Sequence, residues 1–395
     1  MSTDVLGNAL TLDHERSLAA VNDFVEGFIA SEARAVHVLA AAGSDTSPIV
    51  QAYAAAVHMF AESRQAPANA RPFLERARAR SHEATPREQR FIAAVDAWTR
   101  GDIARAIALH EEQAKESPRD LASLKLGQYH LFNIGDSPGM LRIALHARDA
   151  ASDVPFFHGM LAFGYEQCHE LDLAEACARR AIAMRRKEPW AHHALAHVML
   201  TQGRVAEGRE FMRSVSDTWT GLNSFMVTHN WWHQALFALE QQDHDEVLRL
   251  YDTQVWGVAK DYSQDQVNAI SLLARLELAG VDVGDRWHDI AGYVATRVDD
   301  QVLPFLDVQY LYALARSHRT EADVLMHNIE SRPGAVWREV ASPAARGLLA
   351  HARGDHARAA DELGRALPRM AAIGGSHAQR DLFTRVHRDA LARSR

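Results

Sequence analysis

The sequence predicts an all-α fold, an α-solenoid of paired helices, and three observations carry that expectation. Apolar residues recur at i, i+3 and i+4 along most of the 395 residues, as in LAAVNDFVEGFIA (18–30) and IVQAYAAAVHMFA (49–61). Small residues recur twelve apart across short turns. Runs of alternating β-branched residues, which would announce strands, hardly occur.

In chain order, residues 1–80 read as helical, with breaks at AAGSDTSP (41–48) and QAPANARP (65–72), where Gly, Pro and Asn cluster. Thr85-Pro86-Arg87-Glu88 is a helix start: the threonine caps, proline suits the first turn, and the glutamate reaches back to close a capping box. In FIAAVDAWTRGDIARAIALHEEQAKESP (91–118), Ala94 and Ala106 stand 12 apart and Pro118 falls 24 after Ala94. That is the spacing of a tetratricopeptide repeat, in which small residues let two antiparallel helices approach closely and proline closes the unit. Gly347 with Ala359 and Ala366 reproduces it, and Gly164/Ala176 with Pro189, Ala196/Gly208 and Ala235/Val247 keep the interval. Ala313 with Pro333 marks another unit. The turn GDSPG (135–139) shifts the register near Gly127, and 255–305 reads as a long connection. The expected organisation is an N-terminal helical cap, 1–84, followed by one continuous tetratricopeptide-like array, 85–395, of roughly seven to nine helical pairs.

Composition excludes several function classes. A net charge of −8 without a basic stripe argues against nucleic acid as a partner, and the Arg-rich segment 380–395 reads as a solvated last helix. No run of about 18 apolar residues occurs, so no membrane helix is expected. The start MSTDVLGNALTLDHERS lacks a basic, then apolar leader, and a cytoplasmic location follows as the expectation. Cys168 and Cys177 read as buried small hydrophobes rather than a disulfide. No GxxxxGK[ST] loop, no GxGxxG after a strand and no GxSxG elbow is found, which removes nucleotide-dependent and α/β-hydrolase chemistry. A Cys168 nucleophile is weak, because apolar surroundings raise a thiol pKa.

The chemistry-bearing residues gather between His158 and Glu240. Two HxxxH spacings, His193/His197 and His229/His233, put each pair on one helix face. Counting Gly164, Ala196 and Ala235 as repeat position eight, with positions two, five, nine and twelve lining the concave groove, places His158, His193, His197 and His229 on one surface. Trp232 and Tyr165 face the same groove, with His233 beside it. Asp307 and Tyr310 take positions two and five of a later unit, and Asp265 joins the rim. Glu166, at position ten, can orient a neighbouring histidine, although helix-interior packing explains it more cheaply. Bland readings also stand beside the pairs: a polar groove lining for His193/His197, and a packing centre around Trp231-Trp232 for His229/His233. A divalent metal is compatible with these residues and not favoured, since no HExxH and no third ligand at fixed spacing occur, so the cofactor stays unknown. His82, His110, His244 and His351 stand in polar or turn surroundings that ask for no function.

GMLAFGYEQC (159–168), WAHHALAHVMLTQGR (190–204), HNWWHQALFALEQQDHDEVLRLYD (229–252), GVDVGDRW (280–287) and TPREQRFIAAVDAW (85–98) together resemble the tetratricopeptide repeat protein 38 family over about three quarters of the chain. The resemblance implies a curved helical-repeat protein of bacteria and animals, and architecture more than chemistry. Leu200, Gln167 and Gln309 stand where that family's pattern has acidic residues and a histidine, which implies a modified version of any site they form.

Three functions compete. The first is a binding module whose groove captures a small molecule or peptide, with Trp232 and Tyr310 supplying area and the histidines fixing polar ends. The second is an enzyme using His193, His197 and His229 for acid/base or metal-assisted chemistry on a small molecule. The third is an oligomeric scaffold, a homodimer joined through the array ends or the 255–305 segment.

Overall fold

The computed structural model describes residues 2–394 and is helical almost throughout. Eight helix pairs follow one another: Pro86–Thr99 with Ile103–Glu116, Leu121–Asn133 with Ser137–Leu145, Pro155–Gln167 with Leu171–Met184, Pro189–Thr201 with Val205–Val215, Ser224–Glu240 with His244–Leu250, Ser263–Leu278 with Arg286–Val294, Pro304–Arg316 with Glu321–Ser331, and Ser342–Ala352 with His356–Ala366. A last helix, His377–Arg393, completes the described chain. The fold is an all-α solenoid of helix pairs. Among the described residues, no helix is long and apolar enough to cross a membrane.

The described residues form two compact units. The first runs to Phe132 and adds Asp136–Gln202 and Phe211–Met226; the second holds Asn133–Gly135, Gly203–Glu210 and the chain from Val227 onward.

In the first unit the chain starts with a two-residue antiparallel pairing, Ser2 with Leu10 and Thr3 with Ala9, where helix was expected. Asp4 causes it. Its Oδ1 accepts from the amides of Leu6 (2.9 Å) and Asn8 (2.8 Å), and Gly7 takes φ 85°, which folds the chain back at once. The hairpin seats on the first repeat, where Glu88 Oε1 accepts from Thr11 N (2.9 Å) and Arg87 spans Asp120 (2.8 Å) and the carbonyl of Ala9 (3.1 Å). The capping box forms as read: Thr85 Oγ1 accepts from Glu88 N at 3.3 Å and Glu88 Oε2 from Thr85 N at 2.8 Å.

The break expected at 65–72 is instead the start of helix Ala66–Ala79, with Pro72 inside it. Pro67 sits in the first turn, where an amide proton has no helical acceptor. Beyond it, the buried stripe Ala66, Ala70, Leu74 and Ala77 packs on helix Pro48–Met59 and holds the helix through Pro72. Lys125 ties the preceding helix, Leu18–Ile29, to the second repeat by donating to the carbonyls of Phe28 (2.8 Å) and Ile29 (3.1 Å) and to Ser31 Oγ (3.0 Å). Those carbonyls lie in the last turn of the helix, which lacks the amides four residues on that would bond them within it.

The repeat register needs one correction, at Gly164/Ala176. Ala176 is exposed, while Ala162 and Ala174 are fully buried. Leu171 opens its helix seven residues after Gly164, whereas Ile103 opens nine after Ala94, because the turn at His169 (φ 59°) comes two residues early. Ala162 is therefore the residue equivalent to Ala196, 34 positions on, as Pro155 is to Pro189.

In the second unit, the stretch read as a long connection is an ordinary helix pair, Ser263–Leu278 with Arg286–Val294. Tyr262 is not a capping residue type, and Asp285, which is, makes no side-chain cap to its helix. Farther along, Gly347 lets two helices meet: a Cβ there would lie 2.6 Å from Leu363 Cγ and 3.0 Å from Leu363 N. Gly347→Val is expected to lower stability by about 1–3 kcal/mol through overpacking. The urea midpoint reads it; an unchanged midpoint would show that the helices do not need this close approach.

Candidate functional site

The corrected register explains the centre of the first unit. Taking Ala162 and Ala196 as equivalent, Phe163 and Glu166 fall at positions nine and twelve of one repeat, and Trp190, His193 and His197 at two, five and nine of the next. Glu166, expected at position ten, thereby moves onto the lining face. Its Oε1 accepts from His197 Nδ1 at 3.2 Å, and the Nε2 atoms of His197 and His193 are hydrogen-bonded at 3.0 Å. A carboxylate, an imidazole and a second imidazole thus form a chain.

The walls of this chain are aromatic. Phe163 lies 5.0 Å from His193 and 5.8 Å from His197 between ring centroids, and Trp190 meets His193 edge-on at 5.1 Å. Glu166 is fully buried and His193 and His197 are each 1% exposed. Either ring nitrogen of a neutral imidazole can donate or accept, so the two contacts hold both rings in fixed orientations. The arrangement can hold a shared proton, or offer imidazole nitrogens to a polar group brought between them.

His158 does not join them. With the register moved by two it leaves the lining face, and its Nε2 donates to the Ser152 carbonyl at 2.9 Å. Burial keeps its pKa below the usual histidine value. Tyr165 is half-buried on the same helix, and Cys168 and Cys177 are half-buried thiols, rather than the fully buried hydrophobes expected, with pKa values raised by burial.

In the second unit His229 Nδ1 donates to Asn268 Oδ1 at 2.9 Å, and Asp265 accepts from Thr228 Oγ1. Trp232, expected on an open groove, is completely buried; it stacks on His229 at 5.2 Å, meets His233 at 4.8 Å and lies under the Arg275 guanidinium at 5.5 Å. Asp307 and Tyr310 are each 1% exposed, and burial holds the Asp307 carboxyl well above the usual range. Asp265 is likewise enclosed.

Several residues escaped the sequence reading. Phe163 was hidden by the register slip, whereas Trp190 stood at position two of an unchanged repeat and was legible. Asn268 stands one helical turn after Asp265, a DxxN spacing that pairs two polar side chains on one face and was legible. His110 and His351, assigned to polar or turn surroundings, are buried at 1% and 9%. His110 Nδ1 is hydrogen-bonded to Ser123 Oγ at 2.8 Å, and its ring lies 5.6 Å from that of His130 and edge-on to Phe91 at 6.3 Å.

No protein-family model matches the chain. Among solved structures, it is similar to the human IFIT1 dimer with m7Gppp-AAAA, at 10% identity and a TM-score of 0.46, over 98% of this chain and 88% of that one. It is also similar to Naa15/Naa10 bound to HypK-THB, at 12% identity and 0.28, over 96% and 62%. The TPR domain of P58(IPK) matches at 11% and 0.23, over 79% and 99%. These likenesses carry no functional argument; the repeat fold rests on the helix pairs themselves.

Burial lowers the His110 pKa to about 3 and holds His130 well below its usual value. As pH falls below about 6.5, the unfolded chain takes up protons that these native histidines refuse, so stability drops. The expected loss for each histidine steepens from about 0.7 kcal/mol per pH unit at pH 6.5 to about 1.3 at pH 5. Denaturation midpoints across that window measure it, and His110→Leu should flatten the dependence by about one proton. An unchanged slope would mean that His110 is protonated in the native state.

Proposed function

We propose that the protein is a helical-repeat binding protein that holds a small polar ligand, or the polar end of a larger one, on the Glu166–His197–His193 chain of its first unit. The observation that carries this reading is a fully buried carboxylate hydrogen-bonded to an imidazole that is itself bonded to a second imidazole. Repeat packing asks only for small and apolar side chains at the helix crossings, and burying ionisable groups costs several kcal/mol unless they are paired. Groups of this kind concentrate where a protein binds or reacts. With the histidines 1% exposed, a peptide laid along the surface does not reach their rings, which favours a small molecule or an inserted chain end over an extended peptide.

The Glu166–His197 contact also supports a second reading, in which His197 is a general base oriented by the carboxylate. In the second unit, Asn268 holds His229 through Nδ1 in the same way. The HNWWH element supports kinship with the tetratricopeptide repeat protein 38 family, which brings no activity with it.

The test is ligand capture. Small molecules released from the denatured protein are identified by mass spectrometry, and formate, acetate, succinate, glycine and phosphate are screened by thermal shift and titration calorimetry. We expect at least one species to bind the native protein and to bind His197→Gln at least tenfold more weakly. Binding that is equal in the folded variant, or no captured or titrated species at all, would overturn the proposal; turnover of the captured molecule, lost in Glu166→Gln, would favour the enzyme.

A further inference from the structure

We infer that His351, His356 and Asp389, in the second unit, form a site for a divalent transition-metal ion of the zinc class. His351 stands in the last turn of helix Ser342–Ala352, His356 opens helix His356–Ala366, and Asp389 lies in the last helix, one turn from its end. The turn between the two helices is three residues long, with Gly354 at φ 81° and Asp355 capping the following helix through Arg358 N at 3.1 Å. It brings the two imidazole centroids to 5.5 Å.

One nitrogen from each histidine and one carboxylate oxygen all lie within 4.8 Å of one another. A tetrahedral zinc with bonds of about 2.0–2.1 Å holds its ligand atoms about 3.3 Å apart, so a small closure of side chains suffices. Three protein ligands of N, N, O type leave a fourth position for water. Two imidazoles select zinc and its transition-metal neighbours over calcium and magnesium, which prefer oxygen.

Two observations go beyond proximity. Tyr312 OH is hydrogen-bonded to His351 Nδ1 at 3.0 Å, which fixes that ring and leaves Nε2 to face Asp389 Oδ2 at 2.8 Å. Outer partners of this kind are what orient metal-ligating histidines. His356 Nδ1 is buried without a hydrogen-bond partner. A buried polar nitrogen left unpaired costs about 1–3 kcal/mol, a cost that ligation would remove. A simple His351–Asp389 hydrogen bond accounts for two of the three groups and says nothing of the third. Arg393 competes for the carboxylate at 3.0 Å, but its side chain is 57% exposed and can turn to water. Bound metal would pin the last helix, through Asp389, to the helix pair that carries the histidines.

The test uses the full chain carrying His193→Ala and His197→Ala, so that binding at that histidine pair is not counted and failure there does not affect the result. After chelator treatment, zinc chloride is titrated calorimetrically and Co2+ is followed by its visible spectrum. One equivalent of zinc is expected. His356→Ala and Asp389→Asn, each checked for helicity by circular dichroism, should bind at least tenfold more weakly and lose the cobalt spectrum. Tyr312→Phe, a positioning variant, should weaken binding about 10–100-fold. Absence of zinc binding in the parent chain, or unchanged affinity in a folded His356→Ala or Asp389→Asn variant, would overturn the proposal.

Discussion

The close crossing of two helices at a small residue is the constraint on which the rest depends. A single helix pair cannot bury its own apolar face and must lay it on a neighbour. The pair can do so only where the crossing point carries Ala or Gly, as at Ala94 with Ala106, Ala162 with Ala174 and Gly347 against Leu363. Once those crossings are set, every other residue of the repeat has its direction. The Glu166–His197 hydrogen bond follows from this: it joins position twelve of one repeat to position nine of the next, and it exists because the two crossings are 34 residues apart.

Six of the histidines illustrate three physical kinds. His110 and His130 are aromatic fillers that burial keeps neutral, which ties folding to pH. His197 and His229 are oriented imidazoles, each hydrogen-bonded through Nδ1 to a side-chain oxygen. His351 and His356 flank a turn, where a three-residue loop between helices brings the two rings together. Residue type alone distinguishes none of these. Partner and burial do.

Legibility followed the range of the interaction. The Thr85–Glu88 capping box was readable because all its atoms lie within four residues. The Gly164/Ala176 assignment failed because an early turn at His169 moves the crossing by two residues while leaving a small residue at the expected spacing. Pro72 was read as a breaker because its local cost is real; the buried stripe from Ala66 to Ala77 outweighs it. Asp4 folded back a segment read as helical, since a side-chain acceptor two residues from an amide competes directly with the helix.

By itself the sequence determined the helical class, the paired repeat and the sharing of one face by His193 and His197, because 3.6-residue periodicity and i, i+4 geometry are local properties of the backbone. Tertiary structure alone decided that Glu166 stands behind His197, that Trp232 is enclosed under Arg275 rather than open to a groove, and that Asp389 meets His351 from 38 residues away. The reason is that periodicity assigns side chains to faces, whereas turn length and burial assign faces to one another. A slip of two residues in one turn is enough to change which carboxylate a buried imidazole meets.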